Sequence, residues 1–314
     1  MSKKEILINL KRFEVNRSLG GVCDNESPAV WLKQAIKEIA EQGLGKHNQF
    51  NLTIFVADAL LPYAMEQFNE LPAELRSNMA IGSQSCHRED VAPEGNFGAF
   101  SSLNIASTQA VIGSRASLNG HCEERRELRH VMETYATAIG AELRDEVANA
   151  EVSKIVGQKA SKAQARDMKI ALCIGETAEQ QGSGAFEEQK PRIEKVIRTQ
   201  LENGLSGIKG TVSGDTLTIA YEPVWAIGPG KTPPGSDYVE FIASYIKEVT
   251  NELLGFEAKV VYGGGLKRDN AAMLAGIEQL DGGLIALTNF TQPIGFNVDE
   301  LTRILATYTE TLNA

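Results

Sequence analysis

Residues Thr216–Lys231 read TLTIAYEPVWAIGPGK. From Thr216 to Tyr221 apolar and hydroxylated side chains alternate as in a strand, and Pro223 then removes the next ladder donor. Glu222 is thereby placed at a strand exit. Pro223, Val224 and Trp225 stiffen one side of the following loop, while Gly228 and Gly230 free the φ angles of the other, so Ala226–Lys231 has the makings of a lid. For an arbitrary Glu-Pro pair the ordinary outcome is a carboxylate facing water beside a tryptophan that only packs. The weight of Glu222 therefore depends on what lies at the other strand ends.

Working outward, apolar runs of strand length recur at Ile6–Leu10, Leu52–Ala57, Met79–Ser83, Ala110–Ser114, Ile170–Ile174, Leu217–Tyr221, Val260–Tyr262 and Leu284–Leu287. Helical patterns lie between most of them. Pro28–Gln42 carries Ala29, Leu32, Ile36 and Ile39 on one face, and Pro191–Glu202 carries Ile193, Val196, Ile197 and Leu201. Ser27 before Pro28 reads as an N-cap followed by proline at the first helical position. Strand–helix alternation repeated about eight times favours an α/β fold of the (β/α)8 barrel type over an open doubly wound sheet. Asn9 with Lys11, His121, Glu176 and Glu222 fall at or past the C-terminal ends of four different runs, where such barrels gather their chemistry.

A compact barrel needs about 250 residues, and the chain has 314. The reading is one domain over residues 1–314, with insertions near 16–27, 86–96 (CHREDVAPEGN) and 127–144. In the last of these, Leu128, Val131, Met132 and Tyr135 mark an added amphipathic helix. A net charge of −10, with no basic run, argues against nucleic acid and anionic membrane surfaces as partners and leaves a small molecule. The N-terminal apolar run is too short for a signal peptide or a spanning helix, which makes the expected location cytoplasmic. Four scattered cysteines suggest neither a disulfide framework nor a zinc site. His47, His87 and His130 lack ligand partners nearby in sequence, so neither a metal nor an organic cofactor is expected.

Four segments, together with AYEPVWAIGPGK, resemble the triosephosphate isomerase family: Asn9-Leu-Lys11, Asn119–Arg126 (NGHCEERR), Ala171–Glu176 (ALCIGE) and Val261–Gly265 (VYGGG). The resemblance covers most of the chain and implies a TIM barrel that interconverts glyceraldehyde 3-phosphate and dihydroxyacetone phosphate through an enediolate. It implies Glu222 as base, His121 as electrophile, Lys11 as charge stabiliser with Asn9 beside it, and Glu123 as a supporting carboxylate. Glu176 would orient backbone around the lid. Triosephosphate isomerase is itself the standard worked example of this division between a glutamate base, a neutral histidine and a closing loop. Moving a proton between adjacent carbons of an α-hydroxy carbonyl needs such a base, such an electrophile and exclusion of water.

On the same resemblance the phosphate of a small phosphorylated sugar would be held by Lys11, Gly228, Gly264, Gly265 and the positions of Ala286 and Leu287. Consecutive glycines after a strand bare N–H groups to an anion. Gly98–Ser101 resembles the family's subunit-docking loop and implies a homodimer, and the family's place is in glycolysis and gluconeogenesis. There are departures. Pro229 stands for threonine in the lid, Gly265 for serine, and Ala286 and Leu287 for paired glycines. Glu124 stands for arginine, and Ser102 and Leu103 for glycine and glutamate. Catalytic groups kept while the phosphate grip is rebuilt is what a changed substrate would leave, so an erythrulose-phosphate isomerase is the alternative enzyme. A non-catalytic barrel paralogue with a regulatory or assembly role is the alternative of another class.

Overall fold

The computed structural model describes residues 3–25, 27–101, 103–228 and 230–313; Ser102 and Pro229 lie outside the described residues. Among these, strands β1 (Lys4–Asn9), β2 (Phe50–Val56), β3 (Met79–Ser83), β4 (Ala116–Asn119), β5 (Lys169–Ile174), β6 (Leu217–Tyr221), β7 (Lys259–Tyr262) and β8 (Gly282–Ile285) hydrogen-bond in chain order. All pairings are parallel and β8 returns to β1, which closes the (β/α)8 barrel anticipated above. The helices are α1 (Pro28–Glu41), α2 (Leu61–Glu70), α3 (Ala106–Ile112), α4 (Cys122–Ala138), α5 (Asp145–Gln164), α6 (Ala178–Gln181), α7 (Phe186–Gly204), α8 (Ser236–Leu254), α9 (Arg268–Ala275) and α10 (Val298–Leu312).

Two apolar layers result. Leu7, Phe55, Leu118, Ala171, Cys173 and Val261 are among the side chains that fill the barrel, while alternate residues such as Ile6, Ile8, Ile170 and Ile219 point out against the helices. Strands covered on both faces read as continuous apolar runs, which is why they stood out in the sequence. Side chains alternate sides along a strand, so the inward position of Leu7 carries Asn9 inward, and that of Ala220 carries Glu222 inward. Gly82 keeps the interior from overfilling, because a Cβ there would lie 2.6 Å from the Phe55 ring. On the outer layer α1 begins as expected: the Ser27 hydroxyl accepts from the Val30 N–H at 3.5 Å, ahead of the buried stripe Leu32, Ala35, Ile36 and Ile39. No described helix is long and apolar enough to cross a membrane.

Some boundaries differ from the sequence reading. Ala110–Ser114 is not a strand. It is the end of α3, closed by Gly113 at φ +121°, and the fourth strand begins at Ala116. A short apolar run does not by itself discriminate strand from helix, and burial of Ala106 and Gln109 three residues apart has the helical period. Leu128, Val131, Met132 and Tyr135 lie on α4, which runs unbroken from His121, so they do not mark a separate helix within 127–144. No glycine or proline interrupts Cys122–Ala138, and the next break comes at Gly140, with φ +68°. Residues 86–96 form an irregular loop, and 16–25 a short turn closed by a bridge between Asn16 and Cys23.

Candidate active site

Glu222 leaves β6 with its backbone still in the ladder, its N–H donating to the Ile174 carbonyl at 2.7 Å. Glycines at the neighbouring strand exits make room for it. A Cβ on Gly175 would sit 1.8 Å from the Glu222 carbonyl oxygen, and one on Gly263 would sit 2.7 Å from Glu222 Cγ. The carboxylate is 2% exposed. Its Oε2 accepts from the Cys122 N–H, at the first residue of α4, at 2.8 Å. Its Oε1 lies 3.2 Å from His121 Nε2 but out of hydrogen-bond alignment, and has no partner. Burial pushes the Glu222 carboxyl above the ordinary carboxylate range, against the opposing pull of His121, the Cys122 N–H and Lys11. A buried carboxylate with one oxygen pinned and the other free is a proton acceptor in waiting.

His121 is the N-cap of α4 and is 9% exposed. Its Nδ1 accepts from the Glu123 N–H at 3.3 Å, so the proton of the neutral ring belongs on Nε2, which faces Glu222. Lys11 occupies a left-handed conformation, φ +45°, that a lysine adopts only under constraint from its surroundings. That constraint is visible: the Asn9 side-chain oxygen accepts from the Lys11 N–H at 3.1 Å and from Gln84 Nε2 at 3.0 Å, and Gln84 also donates to the Lys11 carbonyl at 3.1 Å. Lys11 Nζ then reaches Glu123 at 2.9 Å. Burial opposes ionisation of Glu123, but Lys11, His121 and Arg126 outweigh it and hold that carboxyl below its usual range. Asn9, Lys11, Gln84, His121 and Glu123 line a cavity of about 270 Å³.

Glu124, where the resembled family carries arginine, has its own partners. Its carboxylate accepts from Ser85 Oγ at 2.7 Å, from the Gly120 N–H at 2.6 Å, and from Lys159. The ion pair here runs from the α4 carboxylate to the α5 Lys159 ammonium. Arg125 is half-buried and holds β4 to β5 through the carbonyls of Gly120 and Cys173, at 2.8 and 2.9 Å. Gln84, Ser85, Cys122 and Arg125 were not among the residues picked from the sequence. For Gln84 and Ser85 a signal existed, since polar residues directly follow the third apolar run. For Arg125, one of two arginines in a charged string, there was none.

Glu176 holds the root of the loop mainly through side chains. Trp225 Nε1 and the Tyr238 hydroxyl each donate to its Oε1 at 2.7 Å, and the Tyr221 hydroxyl donates at 2.9 Å. Its own carbonyl accepts from the Val224 N–H at 3.1 Å. Burial raises its carboxyl pKa despite these three donors. The rigid root of the loop after β6 is thus bolted down at Trp225, while Gly228 and Gly230, at φ +122° and +75°, supply the flexible side.

At the far wall, Gly264 is required by packing, since its Cβ would fall 2.3 Å from the Tyr262 hydroxyl. Gly265 is required by its φ of +97°. Ala286 and Leu287 follow β8 and pack, half-buried, against the core. After them the Thr288 hydroxyl bonds Asn297 and the Asn289 amide donates to the Pro293 carbonyl at 2.8 Å, closing the β8 loop on itself.

Comparison with known proteins agrees with this fold. The family model for triosephosphate isomerase matches residues 30–291, a span that begins after Asn9 and Lys11. A triosephosphate isomerase of Oleidesulfovibrio alaskensis is 34% identical over 206 residues, covering 64% of this chain and 69% of that protein. One from Chlorobium phaeovibrioides is 34% identical over 213 residues, covering 67% and 70%. The crystal structure of triosephosphate isomerase from Bartonella henselae superposes with a TM-score of 0.66 at 21% identity, over 98% of this chain and all of that one, and shares the fold. Sequence likeness over most of the length, on a closed eight-stranded parallel barrel, establishes that the chain belongs to the triosephosphate isomerase family.

Proposed function

We propose that the protein interconverts glyceraldehyde 3-phosphate and dihydroxyacetone phosphate, with Glu222 moving the proton. The observation that carries this reading is the buried Glu222 carboxylate, one oxygen pinned by the Cys122 N–H and the other unpartnered beside His121 Nε2. Oε1 takes the proton from the carbon next to the carbonyl. The His121 Nε2–H donates to the carbonyl oxygen as it gains charge, and the Lys11 ammonium stabilises the enediolate. Glu222 returns the proton to the neighbouring carbon, and the hydroxyl proton passes from one substrate oxygen to the other by way of His121 Nε2. Burial strengthens the base, because a carboxyl whose pKa is raised grips a proton more firmly. Asn9 and Gln84 hold the Lys11 backbone, and Glu123 positions its ammonium. Closure of Ala226–Lys231 over the mouth, rooted at Trp225, excludes water from the enediolate. The backbone N–H groups of Gly228, Gly264, Gly265, Ala286 and Leu287 are assigned to the phosphate.

The whole chain is read as one barrel domain with additions at 16–27, 86–96 and 127–144. Phe97 is 91% exposed beside Gly98–Ser101, which supports that loop docking into a second copy as a homodimer. The cytoplasm, as a site of sugar-phosphate metabolism through glycolysis and gluconeogenesis, is the location proposed. A second reading, an erythrulose-phosphate isomerase, is favoured by the side chains of Ala286 and Leu287 and the missing hydroxyl at Gly265. Purified protein assayed on the two triose phosphates and then on erythrulose phosphates decides between them. Fast triose turnover abolished by Glu222→Gln supports the first reading. Fast tetrose turnover with slow triose turnover supports the second. No turnover of either refutes both.

A further inference from the structure

The base and electrophile share their neighbourhood with a thiol that the reaction does not use. Cys122 contributes its N–H to Glu222, yet its Sγ lies 3.8 Å from His121 Nδ1 and 4.0 Å from Nε2. One donor atom each from His121, Cys122 and Glu222 lie within 4.8 Å of one another. We propose that these three side chains form a site for a soft divalent cation, with Zn²⁺ as the fitting species, whose binding switches the enzyme off by occupying base and electrophile together. The regulatory consequence rests on the isomerase reading; the site itself does not.

Distances and donor types carry this proposal. A tetrahedral zinc with arms of about 2.0–2.1 Å to nitrogen and oxygen and about 2.3 Å to sulfur sets N···O near 3.4 Å and N···S near 3.6 Å. The structure has 3.2 Å from His121 Nε2 to Glu222 Oε1 and 4.0 Å from Nε2 to Cys122 Sγ. Small side-chain adjustments close the difference. Glu222 Oε1 is buried and has no hydrogen-bond partner, so an ion there satisfies an atom that the fold leaves unsatisfied. Thiolate, imidazole and carboxylate together suit zinc and not magnesium or calcium, and three protein ligands leave a fourth position for water.

Protons balance as follows. The thiol proton leaves to solvent when Cys122 Sγ ligates. The imidazole proton shifts from Nε2 to Nδ1, which gives up its acceptance from the Glu123 N–H. Nδ1–H then faces the Glu123 carboxylate, 3.7 Å away at Oε2, in the carboxylate–histidine–metal arrangement that orients many zinc ligands.

The test uses the tag-free full chain, stripped of metal with EDTA and titrated with Zn²⁺, Mg²⁺ or Co²⁺ in a non-chelating buffer. Calorimetry should show one equivalent of Zn²⁺ bound and no response to Mg²⁺. Bound Co²⁺ should show a sulfur-to-cobalt charge-transfer band in the near ultraviolet. Cys122→Ser should abolish that band and weaken zinc affinity by about 100-fold or more, since altering even groups behind the ligands costs 10–100-fold. Isomerase activity, each protein normalised to its own metal-free rate, should fall with zinc occupancy in the wild type, return with EDTA, and resist the same zinc concentrations in Cys122→Ser. Absence of zinc binding, a cobalt spectrum without the sulfur band, or equal zinc affinity in the variant overturns the proposal. Zinc bound through Cys122 in a protein with no isomerase activity overturns the functional reading and leaves the site standing.

Discussion

Glu222→Asp isolates the position of the base from its chemistry. The substitution removes one methylene, so the carboxylate retracts by about 1.5 Å, one carbon–carbon bond. The native carboxylate spans two contacts on the α4 N-terminus, the Cys122 N–H at 2.8 Å and His121 Nε2 at 3.2 Å, and the shorter side chain cannot hold both. Either it keeps the Cys122 bond and Oε1 withdraws from the reacting carbon, or it drifts free in the pocket. A misplacement of about 1 Å costs about 10²-fold, so kcat should fall by about 10²–10³, equivalent to about 3–4 kcal/mol of barrier. KM should change by no more than a few-fold, because the proposed phosphate contacts lie on other loops. The deleted methylene is buried and should cost about 1 kcal/mol of stability. Steady-state kinetics of glyceraldehyde 3-phosphate conversion, coupled to NADH oxidation by glycerol 3-phosphate dehydrogenase, reads the first effect, and thermal denaturation reads the second. A variant within tenfold of wild type in kcat, or one whose defect is confined to KM, would show that Glu222 is not the positioned base.

Three further outcomes follow from the packing and charge around the site. Gly263→Ala directs a Cβ to within 2.7 Å of Glu222 Cγ, so it should lower kcat at least about tenfold while circular dichroism stays unchanged; full activity would mean that this approach does not set the base's position. Glu124→Ala leaves the half-buried Lys159 ammonium, the Gly120 N–H and the Ser85 hydroxyl without their acceptor, and should cost about 3 kcal/mol in urea denaturation; a loss below about 1 kcal/mol would reduce the pair to a surface contact. Glu176 has its carboxyl raised by burial, so its contribution to stability is full below the ordinary carboxylate pKa and is lost as pH rises through the raised folded value. The melting temperature of wild type relative to Glu176→Gln should therefore decline as pH climbs from about 4, and a difference independent of pH would contradict the assignment.

How much of this was legible in the chain depended on what each residue answers to. The barrel strands were readable because burial on both faces leaves short, mostly apolar runs, and Glu222 and Lys11 were readable because they sit at the exits of those runs. The fourth strand was misplaced because Ala-Val-Ile ahead of Gly113 is as apolar as a strand, and only the spacing of Ala106 and Gln109 reveals the helix. Long-range partnerships were invisible. Nothing near Glu124 in sequence announces Lys159, nor does anything near Glu176 announce Tyr238. The glycines after β7 were read as anion donors, and two of them turn out to be spaces that Glu222 and Tyr262 need. A glycine's absent side chain has a neighbour only in three dimensions.

That second role of the glycines bears on why the family pattern departs where it does. Glu222 is located by β5, β6, β7 and the N-terminus of α4, through Gly175, Gly263 and the Cys122 N–H. Each of these is a contact with almost no slack, and each is occupied here by a residue that fits. The departures fall elsewhere. The space around Gly265 is open, with only Lys267 Cε at 3.6 Å, although its φ of +97° strains any side chain, and Ala286 and Leu287 sit beyond the end of β8. Positions that touch the base are constrained by distances below 3 Å, whereas among those assigned to the phosphate Gly265 is held by its backbone angle and not by a close neighbour. A chain can therefore change what it grips without disturbing how it moves a proton. Kinetic effects should divide accordingly, with substitutions at 175, 222 and 263 appearing in kcat and those at 265, 286 and 287 appearing in KM and in the preference among phosphosugars.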